Sequence, residues 1–321
     1  MRVLTAENIR EAIDMDDAID SVRAGYIALS KGRATVPIRG VMSVNDAVTL
    51  TMPAYVHGDP VSVIKVVSVY PSNVDAGLPA INGMVLVLNA WTGIPIALIH
   101  GAALTALRTG AGSGVATDLL ARPEASILGV LGAGPQAYTQ IEAVCAVREI
   151  SEIRVYSPNS ATVFAKALRK MYDVKIVRAR SAHKALEGAD VIVAATNSHK
   201  PVVRKKDVMP GTHINGVGSF KPTMQEVAAE VVLQSKIVVD HRESVWEEAG
   251  DLIIPRDAGL LTEDDVYAEI GEIAAGDMPG RTSAKEITFF KSVGNAVQDA
   301  VVAGRIAAIA EQRGLGVEVT I

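Results

Sequence analysis

The sequence predicts an α/β fold: a parallel sheet covered by helices through the middle of the chain, with a mixed or antiparallel sheet ahead of it. Three observations predict it. From residue 118 to 294, short apolar runs alternate with helical or turn-rich sequence, the rhythm of a parallel sheet covered on both faces. Ahead of residue 117, four extended runs follow one another with short Gly, Pro, Asn and Asp turns between them. Between these stretches, "SILGVLGAGPQAYTQ" (residues 126–140) joins an apolar run to a glycine loop and the start of a helical pattern.

Taken in order, Thr5 is placed to cap a first helix. A second carries Ala18, Ile19, Val22, Tyr26 and Leu29 on one face and stops at Gly32. The extended runs are "AVTLTMPAY", "PVSVIKVVSVYP", "GMVLVLNA" and "IPIALIHG". A long helix from about Ala103 to Ala121 leads out of them. The alternating stretch offers strands at "SILGVLG", "EIRVYS", "VKIVRA", "DVIVAAT", "THINGVG" and "KIVVD". A last helix, from Gly294 to about Arg313, has Val297, Val301, Ala308 and Ile309 among its apolar positions, and "VEVTI" follows it.

A length of 321 residues is enough for one large domain or two moderate ones, each with its own core. A net charge of -5, with no cationic run longer than Arg204-Lys205-Lys206, gives no reason to expect nucleic acid. The single cysteine, Cys145, excludes an intramolecular disulfide and suits a reducing compartment. Beside Ile141 and Val144 it reads as core filling. Acidic and polar residues interrupt "MRVLTAENIREAIDMDD" before a signal peptide could develop, and no run reaches the length of a membrane span. A cytosolic protein with no membrane partner is expected. The spacing of His183, His199, His213 and His241 matches no zinc motif, so no metal is expected.

Within the glycine loop, Gly132 permits a tight turn and Gly134 lets backbone approach a pyrophosphate. Ala137 lets the following helix pack closely on the sheet. The free N–H groups at that helix start favour phosphate. A purely structural turn is the alternative. Sites that prefer NADH place Asp or Glu at the end of the next strand, to hold the adenosine ribose. Here Ser157, Pro158, Asn159 and Ser160 occupy that turn, which favours NADPH over NADH.

Three cations sit in unusual surroundings: Arg39 in "VPIRGVMS", Lys65 inside the strand "SVIKVVSVYP", and Arg108 among small residues in "ALTALRTGAGSG". Each alone could be a snorkelling charge. Together, on a segment joined to a dinucleotide fold, they point to an anionic substrate, and the planar fork of arginine suits a carboxylate. His57 could donate a proton or lie in an exposed turn. His100 could approach substrate or cap the long helix, and Lys221 could approach the cofactor or be solvated.

Along nearly its whole length the chain resembles the ornithine cyclodeaminase/mu-crystallin family. The matching stretches are "TMPAY", "IKVVSVYPSN", "GLPA", "VLVLNAWTGIPIALIHGAALTALRTGAGSGVA", "GVLGAGPQAYTQIEA", "THINGVGSFKPTMQEV", "KIVVD" and "KSVGNAVQD"; "ALRTGA" and the glycine loop are the most specific. The resemblance implies a Rossmann dinucleotide-binding domain, residues 118–294, inserted into a mixed α+β substrate-binding and dimerisation domain of residues 1–117 and 295–321. It further implies a homodimer. Arg39, Lys65 and Arg108 would bind the substrate carboxylate, Lys65 and Arg108 being the catalytic pair. Thr109, Gly134, Pro135, Gln136, Ser157, Thr196, Val217, Gly218, Ser292 and Gly294 match cofactor-holding positions, alongside Gly132 and Asn159 of the loop and turn above. Thr196 and Val217 could simply close strands, and Gly218 and Gly294 could be turn residues.

Two departures bear on the reaction. Cyclodeaminases of the family carry a glutamate two residues before the Met of the "MP" step, and an aspartate after "VG" and one small residue; Leu50 and Phe220 stand there instead. Neither can move a proton or pair with a diamine, and both suit the wall of a cyclic substrate's pocket. The resemblance is therefore nearest to imine-reducing members, which reduce Δ1-pyrroline-2-carboxylate or Δ1-piperideine-2-carboxylate to L-proline or L-pipecolate with NADPH or NADH. Alanine dehydrogenase, ornithine or lysine cyclodeaminase, and a non-enzymatic NADPH-dependent binding protein are the alternatives.

Overall fold

The structure is a computed structural model and describes residues 1–320. It divides into two compact units, Met1–Arg108 with Asn295–Ile321, and Thr109–Gly294.

The first unit opens with β1 (Arg2–Leu4), α1 (Ala6–Ala12) and α2 (Met15–Ser30). Thr5 and Asn8 form a reciprocal cap on α1, and Asp14 caps α2 by accepting the Asp17 N–H at 2.9 Å. Ala18, Ile19, Val22 and Tyr26 of α2 are buried, as their spacing predicts. Then come β2 (Ala34–Thr35), β3 (Gly40–Val44), β4 (Ala47–Val56), β5 (Val61–Val69), β6 (Ile81–Asn89) and β7 (Pro95–His100). β4 to β7 are the four predicted extended runs, joined as an antiparallel meander with Met52, Lys65 and Val85 in register. β1 joins β7 in parallel, which makes the sheet mixed.

α3 (Gly101–Leu120) leaves this unit and enters the second. The division falls at Arg108, earlier than the expected residue 117, because the later turns of α3 pack on the second unit. Gln140 Nε2 donates to the Thr109 carbonyl at 3.1 Å, and Asn215 Nδ2 to Thr117 Oγ1 at 2.9 Å. A Cβ on Gly110 would stand 2.5 Å from the Thr139 carbonyl oxygen, so only glycine permits this approach.

The second unit alternates as predicted: β8 (Ile127–Leu131), α4 (Pro135–Val147), β9 (Glu152–Tyr156), α5 (Ala161–Met171), β10 (Lys175–Arg178), α6 (Ala182–Leu186) and β11 (Val191–Ala194). It continues with β12 (His213–Gly216), α7 (Ala229–Val232), β13 (Lys236–Val239), α8 (Arg242–Glu248), α9 (Gly250–Asp257), β14 (Val266–Glu269), α10 (Ile270–Ala274) and β15 (Thr288–Lys291). All eight strands run parallel, in the order β10-β9-β8-β11-β12-β15-β13-β14. Val191 and Val193 enter the core on one face, Ile192 and Ala194 the core on the other. The central strands are buried on both faces, and β8, β11 and β13 accordingly read as near-continuous apolar runs. β14 and β15 lie outside the predicted strands; each has four residues, like β10 to β13, and they close on Glu269 and Lys291.

The chain returns to the first unit as α11 (Ala296–Arg313), followed by β16 (Val317–Glu318) beside β1. Asn295 caps α11, and the helix packs along α2 and across β4 and β5. Among the described residues no helix is long and apolar enough to cross a membrane. Cys145 is partly buried on α4, and burial, then the Glu142 charge, pushes its thiol up to about 11, consistent with a packing role.

Candidate active site

The first unit gathers Lys65 and Arg108 around one acid. Lys65 is central in β5, on the sheet face that α11 covers, and is 2% exposed; Arg108 is 5% exposed. Lys65 Nζ lies 3.2 Å and 3.5 Å from the two carboxylate oxygens of Asp299, and Arg108 Nε lies 3.3 Å from Oδ1. That Nε is near enough for an ion pair but not aligned for a hydrogen bond. Arg108 Nη1 donates to Gln298 Oε1 at 2.6 Å, and Gln298 Nε2 donates to Tyr26 Oη at 2.8 Å and to the Arg108 carbonyl at 3.1 Å. Two buried cations thus share a single carboxylate, a surplus of positive charge that an anionic ligand would neutralise.

Asp299 and Gln298 were not legible as site residues. They open an apolar helix, where an acid ordinarily reads as a partner of the helix dipole. The available signal was their interruption of the buried face next to the cap.

Burial, then the Arg108 charge, lowers the Lys65 ammonium to about 8; Asp299 acts against them, and Arg39 adds a further lowering. Arg39, half-buried ahead of β3, is therefore within electrostatic reach of Lys65. Leu50 lies on β4 two residues from Met52, which pairs with Lys65, so strand alternation places Leu50 on the same face. Because Lys65 is charged below about 8 and neutral above, affinity for a small carboxylate without a titrating nitrogen should fall as pH rises through that value. Measuring its Kd from about pH 6.5 to about pH 9.5 tests this, and a flat profile would remove Lys65 from the anion site.

In the second unit Gly132 has φ +107°, and a Cβ there would collide with the Ala195 carbonyl oxygen. Gly134 differs. Its φ is -86°, it caps α4 without a side-chain bond, and a Cβ would meet nothing within 4 Å. Neither strain nor packing demands glycine at Gly134; open backbone at a helix start does fit a pyrophosphate. Pro135 begins α4, Ala137 is fully buried against the sheet, and Gln136 Oε1 is buried without a protein partner. The loop therefore fits a dinucleotide, with the Gln136 amide available to it.

Ser157 and Asn159 follow β9, Ser157 half-buried and Asn159 exposed. Ser160 makes no side-chain cap on α5, so the turn presents hydroxyl and amide groups and no acid. Thr196 follows β11, and Val217 and Gly218 follow β12; Val217 donates its N–H to the Ala194 carbonyl at 2.9 Å. A Cβ on Gly218 would collide with the Thr196 carbonyl, so packing requires that glycine. Asp240 Oδ2 accepts from Ser292 Oγ at 2.7 Å, Val293 N at 3.0 Å and Gly294 N at 2.8 Å. The segment bearing Ser292 and Gly294 is thus held by a buried acid that closes the predicted strand "KIVVD" and that the sequence reading passed over.

Phe220 lies in the loop after β12, 40% exposed, with Lys221 Nζ 5.9 Å from its ring centroid. His57 is exposed and bonds Thr35 Oγ1 at 2.8 Å. His100 Nδ1 accepts the Ala103 N–H at 3.2 Å, the capping role among its alternatives.

A parallel sheet with its glycine loop at the start of α4, joined to a mixed α+β unit, defines a Rossmann-class α/β protein. The chain belongs to the ornithine cyclodeaminase/mu-crystallin family, matching it over residues 1–313. A Δ1-pyrroline-2-carboxylate reductase of Bacillus cereus is 39% identical, over 98% of each chain. The solved Δ1-pyrroline-2-carboxylate reductase of Thermococcus litoralis, in complex with NADH and L-proline, is 40% identical with a TM-score of 0.95, covering 99% of this chain and all of that one. An archaeal alanine dehydrogenase dimer with bound NAD is 33% identical with a TM-score of 0.94, covering 100% of this chain and 99% of its own.

Proposed function

We propose that this protein is an NAD(P)H-dependent oxidoreductase that reduces cyclic imine carboxylates, Δ1-pyrroline-2-carboxylate and Δ1-piperideine-2-carboxylate, to L-proline and L-pipecolate. The observation that carries the reading is the pair of buried cations on one carboxylate, Lys65 and Arg108 around Asp299, in a chain so similar to Δ1-pyrroline-2-carboxylate reductases. In this reading Arg108, Lys65 and Arg39 hold the substrate carboxylate, with Asp299 and Gln298 fixing the two buried side chains. Leu50 and Phe220 supply apolar contact to the ring, and neither can deprotonate an amino group, which disfavours cyclodeamination. The reduced nicotinamide, when bound, supplies the hydride. The imine nitrogen is protonated near neutrality, so C2 accepts hydride, the C=N bond becomes CH–NH, and the chain's main contribution is orientation.

The cofactor positions are Thr109, Gly132, Gly134, Pro135, Gln136, Ser157, Asn159, Thr196, Val217, Gly218, Ser292 and Gly294. The acid-free turn at Ser157 and Asn159 favours NADPH, since no carboxylate repels a 2′-phosphate. The test follows NADPH and NADH absorbance with pyrroline carboxylate, and separately with pyruvate plus ammonium. Consumption with the imine alone is expected. Turnover only with pyruvate and ammonium would make the protein an alanine dehydrogenase, and ammonia release from ornithine a cyclodeaminase. A tenfold tighter Kd for NADH would reverse the cofactor preference.

A homodimer belongs to the same reading. Ile64, Leu86 and Leu98 stand in register across β5, β6 and β7, with Val66 and Met84 beside them, on the sheet face opposite Lys65. Val66 and Met84 are exposed. An antiparallel sheet facing water carries polar residues there, so this face calls for a cover. A second copy fits, and the similar alanine dehydrogenase is a dimer. Sedimentation should give twice the chain mass, with Leu86→Glu dissociating the pair; a monomeric wild type would refute it.

A further inference from the structure

Glu226 is a fully buried acid that the chemistry above does not use. Three backbone N–H groups point at its carboxylate: Thr196 N at 2.5 Å on Oε1, and Gly218 N at 2.6 Å and Ser219 N at 2.9 Å on Oε2. Thr196 follows β11, while Gly218 and Ser219 follow β12, the neighbouring strand. One carboxylate therefore ties together the loops at the C-terminal ends of two adjacent strands.

Those ends have a defined place relative to a dinucleotide. In a doubly wound sheet the glycine turn takes the pyrophosphate and the end of the next strand takes the adenosine ribose. Here the glycine loop follows β8 and the Ser157 turn follows β9, on one side of β8. β11 and β12 lie on the other side, where the nicotinamide half must extend. Two charged side chains face Glu226. Asp251 of α9 accepts the Glu226 N–H at 2.7 Å and the Val227 N–H at 2.9 Å. Lys291, at the end of β15, lies 3.1 Å from Asp251 Oδ2 and donates to the Gly216 carbonyl at 3.2 Å. Both are fully buried, so Glu226 is held in a closed charged cluster directly beneath the two loops.

We propose that Glu226 is a positioning residue for the nicotinamide half of the cofactor, its carboxylate clamping the Thr196 loop to the Gly218–Ser219 loop. The inference rests on the dinucleotide reading above. A protonated carboxyl turns a donor toward one of the three N–H groups and forfeits that bond, which frees one loop. Burial, and then the Asp251 charge, pushes Glu226 up to about 7, while Lys291 and the Thr196 bonds act against them. The clamp accordingly tightens as pH rises through neutrality.

The experiment compares NADH with ADP-ribose, which lacks the nicotinamide ring, by fluorescence or calorimetric titration of wild type and Glu226→Gln from about pH 6 to about pH 8.5. Glutamine keeps the size and one acceptor but aims an NH2 at a backbone donor. At the alkaline end the variant should bind NADH about tenfold more weakly, with ADP-ribose within about twofold of wild type. Wild type should lose NADH affinity on acidification, relative to ADP-ribose, and the variant should not. A variant that binds both ligands as wild type does, or weakens on both alike, overturns the proposal. So does a wild-type NADH to ADP-ribose affinity ratio that stays flat with pH, a measurement that needs no variant to fold. Wild type that binds none of NADH, NADPH and ADP-ribose sinks the dinucleotide reading, and this inference with it.

Discussion

Arg108→Ala is expected to lower kcat/KM for the imine carboxylate by about a thousandfold, through a raised KM and a reduced kcat together. The guanidinium is buried, its Nη1 is fixed by Gln298 at 2.6 Å, and its Nε stands 3.3 Å from Asp299, so it is oriented before any substrate arrives. Removing it takes away the planar fork and leaves Asp299 to neutralise Lys65, which abolishes the surplus positive charge. Arg108→Lys should remain poor, because a point charge cannot reproduce two parallel bonds. A second readout ties the effect to this cluster. Arg108 is the largest charge lowering Lys65, so in Arg108→Ala the inflection of carboxylate binding should move above about 8. Steady-state kinetics with an unchanged kcat/KM would take Arg108 out of the site.

Gly134→Val should abolish measurable NAD(P)H binding while leaving the thermal midpoint within about 2 °C of wild type. Gly132→Ala should do the reverse in stability, costing about 3 kcal/mol and lowering the midpoint by several degrees. The contrast comes from local geometry. At Gly134 the backbone has an ordinary φ and open space in front, so a side chain costs the fold little and fills only the place where phosphate would lie. At Gly132 the positive φ and the Ala195 carbonyl exclude any side chain whether or not a ligand is present. Scanning fluorimetry and nucleotide titration on the two variants separate these roles. Wild-type affinity in Gly134→Val would mean that the loop is a structural turn.

The strands and helices that sequence exposes are those with long or regular patterns. β4 to β7 and the alternating β8 to β13 stand out because apolar runs of that length have few other uses. β1, β2, β3 and β16 are short or polar, and β15 ends in Lys291, a charge whose partner Asp251 is buried with it. Arg39, Lys65 and Arg108 were conspicuous because a cation is out of place among apolar or small residues. Asp299, Gln298, Glu226 and Asp240 were inconspicuous, since each occupies a helix start, loop or strand end where polar residues are ordinary.

By itself the sequence determined the α/β class, the glycine loop, the family resemblance and the presence of embedded positive charge, because each is written in neighbouring residues or in a periodic run. The tertiary structure alone decided that Lys65 meets Asp299 across 234 positions and Arg108 meets Gln298 across 190, that β15 lies between β12 and β13, and that Glu226 joins two loops. Such pairings depend on how helices and strands stack and on what burial does to a charge. Both are set by the packed chain as a whole, and no local stretch carries them.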